Sequence, residues 1–194
     1  MSFVTILRGS ILLSLLLFLS SSIGTASAAD ARPGKETFGD KLSFQSTDGL
    51  DYAPTADGQA FIISFSSVEA KISERSDPPV ASKVASLVIP VAGPAIDATF
   101  VVGAVATTHE GGRATLMLVV NDKSVVMHFP PNSNAKDINL QLRYRAKGVS
   151  DLRITIFALV DVDHDHPGGG ADLTVDTLNG NMGSAKAIKR PKKQ

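Results

Sequence analysis

From Ile138 to Ala146 the chain places an apolar residue at every second position, Ile138, Leu140, Leu142, Tyr144 and Ala146, with Asn139, Gln141, Arg143 and Arg145 between them. A helix, with its period of about 3.6, would scatter those five groups around its circumference, whereas an extended strand puts them all on one face. One greasy face and one wet face is the pattern of an antiparallel sheet packed on one side. The same alternation recurs along most of the chain. Phe61, Ile63 and Phe65 share a parity, as do Leu87, Ile89 and Val91. A long even row runs from Ile96 through Ala98, Phe100, Val102 and Ala104 to Ala106, and others join Ala114 to Val120, Val125 to Phe129, Leu152 to Val162 and Leu173 to Val175.

Between these runs stand turn-forming pairs such as Asp48-Gly49, Asp57-Gly58, Gly93-Pro94, Asn121-Asp122 and Lys147-Gly148. No window carries helical period. Many strands joined by such turns predict an all-β chain: a single antiparallel β-sandwich of about nine strands, of jelly-roll or immunoglobulin-like kind. Two local expectations accompany that fold. Val68, Ala70 and Ile72 lie on the opposite parity from Phe61, Ile63 and Phe65, which calls for a bulge or a change of sheet near Ser66-Ser67. Pro90 lies inside an apolar run, which argues for an edge position, since proline cannot donate to a ladder.

The ends read differently. Met1 to Ala29 holds Arg8, then an apolar run from Ile11 to Leu19, then small residues with Ala26-x-Ala28, the order of a secretory signal peptide cleaved near Ala28 or Ala29. Its apolar part is shorter than the roughly 20 residues that span a bilayer, so no transmembrane helix is expected in the mature chain. Residues 30–40 are expected to be a linker arm, 41–182 the sandwich, and 183–194 a basic disordered tail carrying Lys186, Lys189, Arg190, Lys192 and Lys193. The destination is then periplasmic or extracellular. There is no cysteine, so disulfides, a thiol nucleophile and a thiolate metal site are all excluded. Basic and acidic side chains number 19 each, and of these only Arg8 lies in the leader, a balance that does not suggest a nucleic-acid partner.

Chemistry concentrates after the strand ending at Val162. Asp161, Asp163, Asp165, His164 and His166 are followed by Pro167, three glycines and Asp172. The spacing of Asp161, Asp163, Asp165 and Asp172 resembles that of an EF-hand-type calcium loop, in which alternating carboxylates curl around a hard cation. The likeness stops at one loop. His166 stands where the sharp turn needs glycine, Asp172 where a longer glutamate belongs, and no helices flank the segment, so an EF-hand as such is excluded. Two alternatives for a metal remain: a looser calcium site shared with backbone carbonyls, or a zinc or copper site on His164 and His166 with help from His109 or His128. Against both stands an ordinary solvated hairpin loop, polar because it faces water. The glycines 168–170 lack the lysine and helix of a phosphate cradle.

No nucleophile elbow or local carboxylate pair points to catalysis, and no catalytic residue is assigned. Sugar stacking has little to work with, since tryptophan is absent, Tyr144 sits in an apolar row, and only Phe38 and Tyr52 fall in loop-like surroundings. The wet face bearing Asn139, Gln141, Arg143 and Arg145 is the candidate ligand surface. The expectation is therefore an exported, non-catalytic module that recognises a glycan, a protein or an envelope component. The alternatives are a metal-dependent, calcium-stabilised lectin-like or zinc/copper site on residues 161–172, and a structural subunit that pairs through its sheet edges.

Overall fold

A computed structural model describes residues 36–73, 79–166 and 168–183. The expected leader, residues 30–35 of the arm and the lysines and arginine of the tail lie outside the described residues. The regular elements among them are all strands, eleven in number: β1 (Thr37–Phe38), β2 (Phe44–Gln45), β3 (Leu50–Pro54), β4 (Ala60–Ile72), β5 (Val80–Ala92), β6 (Ala95–Thr108), β7 (Gly112–Val120), β8 (Lys123–Phe129), β9 (Asn134–Lys147), β10 (Asp151–Val162) and β11 (Ala171–Met182). No helix among them is long and apolar enough to cross a membrane.

The strands form two antiparallel sheets. One runs β1-β5-β10-β7-β8, with β2 also on β5, and the other runs β3-β4-β11-β6-β9. The eight long strands β4 to β11 thus form the facing orders 5-10-7-8 and 4-11-6-9. Among these eight strands the chain crosses between the sheets at every connection except the β7–β8 hairpin. That order is a jelly roll, which resolves the choice between the two sandwich types.

The inward faces are those the alternation picks out. Ile96, Ala98, Phe100, Val102, Ala104 and Ala106 are all buried along β6, as are Leu152, Ile154, Ile156, Ala158 and Val160 along β10. Burying each large aliphatic or phenyl group contributes about 1.5–3 kcal/mol, so a chain without crosslinks can offset its ordering entropy by packing. At one end of the core Phe61 meets Phe38 edge-on at 4.8 Å, Tyr52 at 5.6 Å and Phe100 at 6.2 Å between ring centres. Gly180 makes room for this cluster: a methyl group there would lie 2.2 Å from the Phe61 ring.

The parity change in β4 is a bulge. Val175 faces Val68 and Thr177 faces Ser64, so Phe65, Ser66 and Ser67 oppose Asp176 alone, and both Ile63 and Val68 point inward. Contrary to expectation, Pro90 is not in an edge strand, since β5 has β10 on one side and β1 and β2 on the other. Its carbonyl accepts from the Gly39 amide, so its missing N–H also faces the side of β5 covered only by the two-residue strands β1 and β2. The ladder to β10 loses nothing.

Two further expectations are corrected. Phe38 does not lie in a loop: it pairs with Val91 in β1 and is 4% exposed, so the sandwich takes in part of the supposed linker arm. Tyr52 also lies in a strand, opposite Ile63, with its hydroxyl donating to the Gly39 carbonyl at 2.6 Å. Phe44, in the two-residue strand β2, points outward and is 53% exposed.

Candidate functional site

The carboxylate and histidine segment joins β10 to β11 at one rim of the sandwich, beside the loop that joins β6 to β7. Backbone groups lock the two loops together: the Asp163 amide donates to the Gly111 carbonyl at 2.9 Å and the His109 amide to the Gly170 carbonyl at 2.8 Å. Glycine makes this approach possible. A methyl group on Gly169 would stand 2.4 Å from the Glu110 carbonyl oxygen, and one on Gly112 would stand 2.1 Å from that of Gly170. Gly169 and Gly170 are buried against neighbouring backbone, so they serve loop-to-loop packing.

Asp161, Asp163 and Asp172 turn toward cations of the chain itself. Arg113, opposite Asp161 in the register of β7 and β10, holds one nitrogen 3.8 Å from Asp161 and another 3.8 Å from Asp163. Asp172 belongs to β11 and meets Lys71 of β4 at 3.3 Å. The Asp163 carboxylate also accepts the Asp165 amide at 3.3 Å, while the Asp165 and His164 side chains face water. His166 points back at Glu110, 3.9 Å away, and its Nδ1 is buried without a partner among the described residues. His109 lines a cavity of about 550 Å³ with Lys71, Thr107 and Asp172, whereas His128 lies on the far sheet, bonded to Thr115 at 3.0 Å. Among the described residues no three of these groups stand close enough together to hold a cation.

The second candidate surface is the outer face of the five-stranded sheet. Antiparallel register lines up its side chains in rungs. Asn139 of β9 stands beside Gly103 of β6 and Thr177 of β11, Gln141 beside Val101 and Asn179, and Arg143 beside Thr99 and Asn181. The Asn139 amide donates to the Asp137 carbonyl at 2.9 Å, but no side-chain bond among the described residues occupies the amides of Gln141, Asn179 or Asn181. Gly103 lies in the middle of this face; a methyl group there would sit 2.5 Å from the Thr177 hydroxyl, so the centre stays low.

At the end of the face Asp97 takes two arginines. Arg143 donates from Nε and Nη2 to its two oxygens, both at 2.8 Å, and Arg145 donates from Nε at 3.0 Å. These charge-assisted bonds, chiefly that of Arg143, hold the Asp97 carboxyl down at about 2 and raise the Arg143 guanidinium further above its ordinary range. The sequence singled out both arginines but missed Asp97 and Arg113. The signal for each was a lone charge of opposite sign on the wet parity of a neighbouring strand, readable only once β6 is paired with β9 and β7 with β10.

No protein-family model matches this chain, and no curated protein matches it either. Among solved structures, TmCBM61 in complex with beta-1,4-galactotriose is 11% identical, with 78% of this chain and 90% of that one covered and a TM-score of 0.37. The C-terminal CBM6 of LamC, a laminarinase from Zobellia galactanivorans, is 6% identical over 76% of this chain and 98% of that one, with a TM-score of 0.24. The enzymatically active domain of tailspike protein 4 from bacteriophage CBA120 is 14% identical over 76% of this chain and 19% of that one, with a TM-score of 0.30. Likenesses of this size carry no argument about function, and the fold stands on its strand order.

Proposed function

We propose that the chain is an exported, non-catalytic binding module that recognises a glycan on the outer face of its five-stranded sheet. One observation carries this: the amide of Gln141 on β9 and the amides of Asn179 and Asn181 and the hydroxyl of Thr177 on β11 share one sheet face on either side of β6, where Val101 and Gly103 lie between them, with intramolecular bonds absent from the three amides among the described residues. Amides and hydroxyls both donate and accept, which suits the alternating donors and acceptors of a sugar's hydroxyl groups. Held on paired strands, they lose little conformational freedom on binding. Such a site works by hydrogen bonds, in keeping with a chain that has no tryptophan.

The test is affinity electrophoresis of the protein through gels containing plant, algal and bacterial polysaccharides, followed by calorimetry on those that retard it. Each lost hydrogen bond is worth about 0.5–1.5 kcal/mol, so the Gln141→Ala, Asn179→Ala double variant should weaken binding about tenfold with an unchanged melting temperature. Thr155→Ala, on the opposite sheet, should bind as the parent does. Retardation by none of the polymers, or full affinity in the double variant, rejects a glycan site on this face.

A further inference from the structure

Resting on that glycan-binding face, we propose that the ligand is an anionic glycan whose carboxylate or sulfate groups are held by Arg145 and Arg143 at the end of β9. Two guanidiniums share the single carboxylate of Asp97, and Lys147 follows on the same outward parity, opposite Ala95. The cluster therefore keeps an excess of positive charge. The balancing acid on this strand, Asp137, lies eight residues from Arg145, about 26 Å along an extended chain and well beyond the screening length of about 8 Å at physiological salt.

The arginines are also oriented. Arg143 is fixed by two parallel bonds, while Arg145 uses its Nε alone, which leaves its terminal nitrogens without a partner among the described residues, and its side chain is 61% exposed. A guanidinium fork held in this way matches the paired oxygens of a carboxylate or sulfate. Beside it, one rung along, stands the exposed Asn181 of β11, so an acidic residue seated on the arginines would continue onto the amides of that strand. Asp97 acts as a positioning residue here, turning both side chains toward the face.

The experiment is calorimetric titration of the full chain with polygalacturonate and with the same polymer fully methyl-esterified, which keeps the backbone and removes the charge. Dextran and dextran sulfate form a second pair that separates sulfate from carboxylate. Expected is at least tenfold tighter binding to a charged polymer than to its neutral partner, an advantage that shrinks steeply as salt is raised. Arg145→Gln should reduce that ratio to within about threefold while preserving binding to the neutral polymer, and Arg145→Lys should restore part of it. Arg153→Gln, on the other sheet, should leave it intact. Equal binding of charged and neutral partners, a preference that survives in the Arg143→Gln, Arg145→Gln double variant, or its loss in Arg153→Gln overturns the anionic assignment and leaves the glycan site standing. Binding to no polymer overturns both.

Discussion

Asp97 is exposed enough to meet water, yet it answers to two arginines, and its protonation should report their geometry. Its folded pKa of about 2 lies below the ordinary 3.8, so on acidification the unfolded chain takes up the proton first. The stabilisation is complete above about pH 4 and fades as pH falls toward 2. A carboxyl-carbon NMR titration should place Asp97 near 2 in the parent and return it toward 3.8 in Arg143→Ala; a midpoint unmoved by that substitution would show that the bidentate pair does not form in solution. Tyr52 has the opposite sign. Burial, with Asp40 adding a smaller push, raises its phenol to about 12 while its hydroxyl donates to Gly39. The neutral phenol's contribution is whole below about pH 10 and is lost as pH climbs toward 12. Tyr52→Phe should cost about 1 kcal/mol at neutral pH by chemical denaturation, and its melting point should fall less than the parent's between pH 10 and 12. Equal alkaline slopes would remove the hydroxyl from any part in holding the N-terminal arm.

At the level of strands and loops, adjacent glycines make opposite predictions. Gly168 has nothing within 4 Å of where a methyl group would be, whereas one on Gly169 would meet the Glu110 carbonyl oxygen at 2.4 Å and Val162 Cγ1 at 2.6 Å. Gly169→Ala should therefore lower stability by about 1–3 kcal/mol, as overpacking does, and Gly168→Ala should stay within about 0.5 kcal/mol. Thermal melts of the two decide it; equal losses would mean that the β6–β7 and β10–β11 loops are not interlocked. Those loops also mark where sequence stops being informative. The bulge in β4 was readable because Ile63 and Val68 are both large and apolar on opposite parities. The rest of β11 was not, because the irregularity at Asp176 shifts the inward set from Val175 to Leu178 and Gly180, and a glycine carries no hydrophobic signal. β5 was legible only from Leu87, since its first half, Val80 to Ser86, has Ser82, Lys83 and Val84 facing water. The wet face of β9 was legible as a surface. Its partners Asn179, Asn181 and Asp97 were not, because which strands lie side by side depends on sheet order, and alternation is silent on order.

That order governs how the whole molecule must assemble. β11, the last of the described strands, lies between β4 and β6 and pairs Ala171 with Ile72 and Asn181 with Ala60, about 100 to 120 residues earlier. β10 similarly joins β5 to β7. Neither sheet has a complete centre until the final two strands exist, and closing loops of that length before any contact rewards them makes sandwich folding slow. The full chain should refold on a timescale of milliseconds to seconds, without the microsecond phase of a locally connected fold. A chain ending at Asp163 should not fold at all. It would leave β4 with β3 alone and β6 with β9 alone, and it would remove Leu173, Val175 and Leu178, each fully buried. Those three side chains account for roughly 5–9 kcal/mol of burial, comparable with the 5–15 kcal/mol that keeps an ordinary domain folded. Stopped-flow refolding of the full chain and an amide NMR spectrum of the truncated one check the two halves of this prediction. Dispersed resonances from the truncated chain would mean that β11 is an accessory to the second sheet, and that the proposed ligand face, which depends on Asn179 and Asn181 lying between β4 and β6, is built differently.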